Sequence, residues 1–106
     1  PTNMVKFLDT EGEFQEATKS LCIIDFTASW CPPCKFIGPK FVALAEASNG
    51  GKLSFFKVDV DKNEAAAKAA GISAMPTFQI WNEGKKVEEF KGANEDKLKA
   101  LVKKYN

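Results

Sequence analysis

The chain has 106 residues, of which 44% are hydrophobic and 27% charged, and this size and composition predict one globular domain over residues 1–106. Its formal net charge of +1 argues against a nucleic-acid or acidic-membrane partner, and its apolar runs are shorter than the about 18 residues of a membrane-spanning helix. The sequence contains no histidine, which excludes Cys–His hydrolases and metal sites built on imidazole.

The first half of the chain alternates between strand and helix signals. MVKFLD at 4–9 predicts a strand, the segment 11–20 a helix, and the nearly unbroken apolar run at 21–27 a buried strand. The segment that follows Cys31 predicts a longer helix, which NGG at 49–51 ends. The residues on one 3.6-residue face of this helix are Ile37, Phe41, Leu44, Ala45 and Ser48.

The second half continues this alternation. LSFFKVDV at 53–60 predicts another buried strand, and a short Ala-rich helix follows, with Asp61 as its N-cap and Gly71 at its end. Asp59 and Asp61 together suggest a metal-binding loop, but turn and cap chemistry is the better account of both. We therefore predict no metal site in this chain.

The C-terminal part predicts a hairpin and a final helix. PTFQIW at 76–81 and KKVEEF at 85–90 are strands joined by a short turn, which makes them an antiparallel pair. The last helix starts near Asn94, and its buried stripe is Leu98, Leu101, Val102 and Tyr105. The resulting order, β-α-β-α-β-α-β-β-α, predicts an α/β fold in which helices flank both faces of a central mixed β-sheet.

The segment WCPPC places Cys31 and Cys34 at the start of a helix. The unpaired amides and the dipole of a helix N-terminus favour thiolate, so we expect the pKa of Cys31 to lie below ~8.5. Pro32 and Pro33 suit the first turn, where no amide hydrogen is needed. Residues three apart on a helix nearly reach disulfide distance. We therefore predict a dithiol–disulfide exchange centre, with Cys31 the exposed nucleophile and Cys34 the shielded resolving thiol.

Three other interpretations of this cysteine pair remain open. It could be half of a zinc or iron–sulfur site, a non-reactive structural disulfide, or an inert pair on a scaffold used for binding. A metal site needs four ligands, and only Cys22 is left to contribute. Cys22 lies mid-strand among Leu and Ile, so we expect it to be an inert buried thiol.

Asp25 interrupts the apolar run LCIIDF. Burial of an ionised carboxylate is unfavourable, so the pKa of Asp25 should rise or the group should find a partner. Lys57, in FFKVDV on a neighbouring strand, is the best-placed partner. A purely structural buried pair is the alternative interpretation.

The chain resembles the thioredoxin family over essentially its whole length. The resemblance lies in DFTASWCPPCKFIGP, VDV after SFFK, MPTF and FKGAN, which stand in the family's order and spacing. It implies the thioredoxin fold and a thiol–disulfide oxidoreductase with a redox-active Cys31–Cys34 disulfide. The family's usual motif has Gly where this chain has Pro32. Tryparedoxin- and nucleoredoxin-like relatives also have Pro at this position. This departure leaves the redox potential and the preferred electron donor open.

The resemblance also implies roles for individual residues. Asp25 would accept the proton of Cys34, with Lys57 tuning it, and Pro76 would follow a cis peptide bond. Met75 would offer backbone hydrogen bonds to an extended substrate. The substrate-binding residues implied are Trp30, Pro32, Pro33, Met75, Pro76, Gly92 and Ala93. The alternative is that Trp30 and Met75 are simply part of the core.

By the same resemblance, a separate flavin-containing thioredoxin reductase would restore the dithiol with electrons from NADPH. The substrates would be disulfide-containing proteins such as peroxiredoxins or reductases, and we expect a monomer that serves electron transport and cell redox homeostasis. The chain itself shows no Gly-rich dinucleotide motif, so we expect it to bind no cofactor.

The sequence has no signal-peptide pattern, few cysteines and no histidine, and these absences bear on the compartment and on the competing functions. PTNMVKFLDT does not have the order of a signal peptide, and three cysteines are too few for a secreted disulfide framework, so we expect a reducing cytoplasm. A disulfide oxidase or isomerase is one rival function, although those enzymes usually carry a histidine between their cysteines. A thioredoxin-fold binding scaffold is the other.

Overall fold

The computed structural model describes residues 5–106, which form nine helices and strands. In chain order these are β1 (Val5–Phe7), α1 (Glu11–Ala17), β2 (Cys22–Thr27), α2 (Pro32–Ala47), β3 (Ser54–Asp59), α3 (Glu64–Ala69), β4 (Thr77–Asn82), β5 (Lys85–Lys91) and α4 (Glu95–Tyr105). This is the predicted order, although Met4, in the predicted first strand, lies outside the described residues. None of these helices is long and apolar enough to cross a membrane.

The strands of the described chain form one five-stranded sheet in the order β1-β3-β2-β4-β5. β3 runs parallel to both β1 and β2, whereas β4 is antiparallel to β2 and to β5. β2 therefore lies at the centre, and its Asp25 stands opposite Lys57 of β3 and Phe78 of β4. The predicted mixed sheet is confirmed.

Strand β2 is buried from Cys22 to Phe26 because helices cover both faces of the sheet. On one face, Ile24 belongs to an apolar cluster with residues of α1 and α3. On the other face, Ile23 belongs to a larger cluster that includes Phe41 of α2 and residues of α4. Burial on both faces explains why the sequence of β2 does not alternate between apolar and polar residues.

The N-terminus of α3 differs from the prediction. Its N-cap is Asn63, whose side chain accepts a hydrogen bond from the Ala66 amide at 3.2 Å and donates one to the Leu8 carbonyl at 3.0 Å. The amide of Asp61 donates instead to the Asp59 carboxylate at 2.9 Å, within the preceding turn. The predicted Asp61 cap is therefore wrong, because a contact with the β1–α1 connection fixes the start of this helix.

The predicted first strand and first helix extend beyond the ends of β1 at Phe7 and of α1 at Ala17, whereas three later boundaries agree with the sequence. Gly71 follows α3 with a φ of 72°, a left-handed conformation that ends a helix at little cost for glycine. Glu83 and Gly84 have φ values of 54° and 75°, the pattern of the tight turn that joins antiparallel strands. Asn94 is the N-cap of α4 and accepts a hydrogen bond from the Lys97 amide at 3.0 Å.

Candidate functional site

Cys31 and Cys34 form a disulfide at the N-terminus of α2, with their Cα atoms 5.2 Å apart. Cys31 is the N-cap in extended conformation, and its sulfur lies 3.3 Å from the amide nitrogen of Cys34, which donates to it. Pro32 and Pro33 occupy the first helical positions, as predicted. This amide and the positive end of the helix dipole both stabilise a negative charge on the Cys31 sulfur.

The two cysteines are almost equally buried, at 4% exposure for Cys31 and 3% for Cys34. The prediction of an exposed Cys31 is therefore wrong, because Val60 and Met75 pack against the pair from other parts of the chain. What distinguishes the two residues is their surroundings. The Cys31 sulfur lies 3.7 Å from the carbonyl oxygen of Met75, whereas Cys34 lines a recess that also contains Lys57.

The segment around Pro76 borders Cys31. The Met75–Pro76 peptide bond is cis, as the resemblance implied, and Met75 is partly buried beside the cysteines. The amide of Gly92 donates to the Pro76 carbonyl at 2.9 Å, which brings the end of β5 to the same place. Ala93 packs against the cluster under α2 and α4. The structure thus brings Cys31, Met75, Pro76 and Gly92 together.

Trp30 is 62% exposed, so the alternative that it belongs to the core is wrong. Its indole nitrogen donates to the Asp61 carboxylate at 2.8 Å. This pair was not predicted from the sequence, because Asp61 was expected to cap α3. An acidic residue in the turn after β3 was the available signal, because β2 and β3 are adjacent parallel strands that end at the same edge of the sheet.

Asp25 is 1% exposed, and within residues 5–106 neither of its carboxylate oxygens accepts a hydrogen bond. Burial raises the pKa of Asp25 to about 7, against the positive charge of Lys57, which lowers it. The predicted upward shift is thus confirmed, and the neighbour on β3 is the predicted one. A carboxyl group with this pKa exchanges its proton near neutral pH, which suits acid–base chemistry.

Cys22, on the opposite face of β2, is fully buried and is not part of the disulfide. Burial raises the pKa of its thiol to about 12, with a hydrogen bond to the backbone of Trp81 acting in the opposite direction. A thiol that stays protonated is a poor nucleophile and a poor metal ligand. No cluster of His, Cys, Asp and Glu suited to a metal ion occurs in residues 5–106.

The chain matches the family model described as Thioredoxin over residues 5–104. A thioredoxin of Geodia cydonium is 45% identical, over 95% of this chain and 98% of its own length. An H-type thioredoxin of Chlamydomonas reinhardtii is 53% identical over 78% of this chain and 73% of its own length.

A solved structure gives the same result for the fold. The crystal structure of Malassezia sympodialis thioredoxin superposes with a TM-score of 0.93 at 37% identity and covers 99% of this chain and 93% of that one. The thioredoxin fold expected from the sequence is thereby confirmed, as is the expected class of thiol–disulfide oxidoreductases. The chain therefore belongs to the thioredoxin family and, with its Cys31–Cys34 pair, is a protein-disulfide oxidoreductase.

Proposed function

We propose that the protein reduces disulfides in protein substrates by dithiol–disulfide exchange through Cys31 and Cys34. The observation that carries this proposal is the Cys31–Cys34 disulfide at a helix N-terminus on the same side of the sheet as a buried carboxyl group. The Cys31 thiolate attacks a substrate disulfide and forms a mixed disulfide with one substrate sulfur. The Cys34 sulfur then displaces that substrate sulfur, which leaves a reduced substrate and an oxidised pair.

The surroundings of the two cysteines support this division of labour. Cys31 is the residue that receives the Cys34 amide hydrogen bond, so its thiolate is the better stabilised nucleophile. Asp25 is the proton acceptor for Cys34, since its pKa of about 7 leaves a substantial fraction ionised at neutral pH. Lys57 tunes this acceptor by keeping its pKa from rising further.

The substrate binds across the residues that border Cys31. Met75 carries a backbone carbonyl 3.7 Å from the Cys31 sulfur, and its backbone pairs with an extended substrate segment. Exposed Trp30 supplies apolar contact area on one side of the cysteines. The other substrate-contacting residues are Pro32, Pro33, Pro76, Gly92 and Ala93.

Recycling requires a partner. We assign re-reduction of Cys31–Cys34 to a flavin-containing thioredoxin reductase that draws electrons from NADPH, with peroxiredoxins or reductases among the substrates. This scheme places the chain, as a monomer, in electron transport and redox homeostasis of the cytoplasm. It accords with a chain that carries one redox disulfide and binds substrate through backbone and apolar groups.

The test is substrate trapping with Cys34→Ser, and Cys22→Ser is the matched control. The first variant retains the attacking thiol but has no resolving one, so it should accumulate mixed disulfides and lose catalytic reduction of insulin disulfides. The control should turn over like the wild-type protein, because the Cys22 thiol is buried on the other face of the sheet. No insulin reduction by the wild-type protein and no mixed disulfides on Cys34→Ser would instead indicate a binding scaffold whose cysteine pair is incidental.

A further inference from the structure

A recess of about 370 Å³ opens beside α2 and contains Cys34 but not Cys31. Its walls come from β1, the end of β2, α2 and β3, and include Phe7, Thr27, Ala28, Cys34, Gly38 and Lys57. We call this the side recess. Cys31 instead contacts the Met75 carbonyl, so the side recess is separate from the proposed substrate-binding surface.

Gly38 and Phe7 confine the ammonium group of Lys57 in this recess. A Cβ atom at Gly38 would stand 3.4 Å from the Lys57 nitrogen, so any longer side chain would fill the space beside the ammonium group. Glycine is among the least favourable residues for a helix interior, yet Gly38 lies within α2 and is buried. On the outer side, the Phe7 ring lies 5.8 Å from the same nitrogen and is 46% exposed.

Asp25 is the neighbour of Lys57 across the sheet. The two residues stand opposite each other on β2 and β3, and Asp25 is closed off from solvent at 1% exposure. Because neither carboxylate oxygen has a hydrogen-bond partner within residues 5–106, no side-chain relay described there carries a proton away from Asp25. Cys34 and Lys57 both line the side recess, which is therefore an opening shared by the resolving thiol and the neighbour of Asp25.

Few charged groups face this route. Lys35 of α2 and Lys57 and Asp59 of β3 line the side recess. β1 contributes Phe7, and β4 places Phe78 opposite Asp25, and neither of these side chains titrates. Lys57 is therefore the cation of the side recess that stands opposite Asp25 in the sheet.

We propose that the side recess is the water route through which Asp25 exchanges its proton with solvent, and that Gly38 and Phe7 are positioning residues that keep this route open. This rests on the proposed role of Asp25 as proton acceptor. Gly38 leaves room for water beside the Lys57 ammonium group, and Phe7 holds that group against the wall by a cation–π contact.

Cys34 gives its proton to the Asp25 carboxylate, and its sulfur bonds to the Cys31 sulfur. The bond between Cys31 and the substrate sulfur breaks, and the electron pair leaves with the substrate thiolate, which takes a proton from solvent. Asp25 then releases its proton through the side recess, and the dithiol has been oxidised while the substrate disulfide has been reduced.

The experiment mixes reduced protein with a limiting amount of the symmetrical disulfide of thionitrobenzoate in a stopped-flow instrument. The first coloured thiolate reports attack by Cys31, and the second reports resolution by Cys34. In Gly38→Val, which occupies the space beside the Lys57 ammonium group, the second release should slow by about tenfold and show a larger solvent isotope effect, because proton transfer becomes limiting. The first release should stay within about twofold of the wild-type rate.

The controls separate a blocked route from damage to the helix. Gly12→Ala makes a comparable change in α1, where the new Cβ would lie 3.9 Å from the Thr10 hydroxyl, and should leave both releases unchanged. Gly38→Ala adds only one methyl group and should release the second thiolate at a rate between those of the wild-type protein and Gly38→Val. It replaces Gly38→Val in the comparison if thermal unfolding shows that Gly38→Val is unstable. Phe7→Ala should also slow the second release, and Phe7→Tyr should restore it, since a phenol ring also holds a cation.

Asp25→Asn in the same assay distinguishes this proposal from the proposed function. A slow second release in Asp25→Asn combined with wild-type kinetics in Gly38→Val and Gly38→Ala would overturn the water route alone. A wild-type second release in Asp25→Asn would overturn the role of Asp25 and the water route with it. In Asp25→Asn/Gly38→Val, the second substitution should add no further slowing, and an additional tenfold loss would contradict a shared route.

Discussion

Strand β2 carries two buried titratable groups on its opposite faces, and they differ in what burial does to them. Burial raises the pKa of both, but it places the Cys22 thiol at about 12 and the Asp25 carboxyl at about 7. Cys22 points into the cluster under α1 and α3, whereas Asp25 lies on the α2 side, with Lys57 as its neighbour. Equal burial therefore produces an inert group on one face and a usable one on the other.

The difference lies in the starting pKa and in the neighbours. A thiol starts near 9.0, so burial moves it further from neutral pH, while a carboxyl starts near 3.8 and burial moves it toward neutral pH. Lys57 opposes the shift of Asp25, and only a backbone hydrogen bond opposes that of Cys22. Burial of a carboxyl group near a reactive thiol is thus a way to build a base for neutral pH.

The largest expected effect is on the pH dependence of stability. The pKa of Asp25 is raised in the folded state, so the folded protein holds a proton that the unfolded chain has lost between about pH 4 and pH 7. Protonated Asp25 therefore contributes to the free energy of unfolding at pH 4, and this contribution is lost as the pH rises through 7. The loss is on the order of 4 kcal/mol. Asp25→Asn should abolish this loss. Denaturant unfolding of both proteins from pH 4 to 8 measures it.

The other carboxylates titrate in both proteins, so the difference between the two curves isolates Asp25. Cys22→Ser is the matched comparison, because the Cys22 thiol is protonated in both the folded and the unfolded state over this range. Its curve should run parallel to that of the wild-type protein. Parallel curves for Asp25→Asn as well would mean that burial does not raise the pKa of Asp25.

The second effect is on the rate of resolution. Loss of a general base reduces a rate by about a hundredfold or more, so Asp25→Asn should slow attack by Cys34 by this factor at pH 8. In the wild-type protein this rate should rise with pH through about 7, as Asp25 ionises. Lys57→Met should move the rise to higher pH, because Lys57 lowers the pKa of Asp25. The rate of the second thiolate release, measured from pH 5 to 9 for the wild-type protein, Asp25→Asn and Lys57→Met, tests these expectations.

A resolution rate in Asp25→Asn that still rises through pH 7 would assign the titration to another group. An unchanged midpoint in Lys57→Met would show that the Lys57 charge does not reach Asp25. Attack by Cys31 serves as the internal control, since it precedes the step in which Asp25 acts.

The third effect concerns Cys22 alone. Cys22→Ser places a hydroxyl group in a fully buried apolar site, which should lower the free energy of unfolding by about 1–3 kcal/mol. The rates of both thiolate releases should stay unchanged, because the residue lies on the face away from α2. Denaturant unfolding and the stopped-flow assay test this together. A slower resolution step would mean that the two faces of β2 are coupled.

Most of the features compared above could be predicted from the sequence, because local sequence patterns determine them. The apolar run around Asp25 predicted burial on both faces, and the cysteine pair with its prolines predicted the start of α2. Four features were missed: the Asn63 cap, the low exposure of Cys31, the Trp30–Asp61 pair and the Phe7–Lys57 contact. Asn63 bonds to Leu8 and Cys31 packs against Met75, so tertiary contacts between distant segments determine these features.

The smallest expected effect is on the redox potential, and it tests the Cys31 side of the site. Pro32 and Pro33 have no amide hydrogen, so the Cys34 amide is the first in α2 that donates to the Cys31 sulfur. Pro32→Gly adds an amide in the first turn, which should stabilise the Cys31 thiolate and make the pair more oxidising. An amide at the first helical position does not point at the N-cap side chain, so the shift should stay below about 30 mV, or ~1.4 kcal/mol. Trp30 fluorescence across dithiothreitol redox buffers measures it, and a shift toward more reducing potentials would show that Pro32 acts by fixing the backbone rather than by removing a donor.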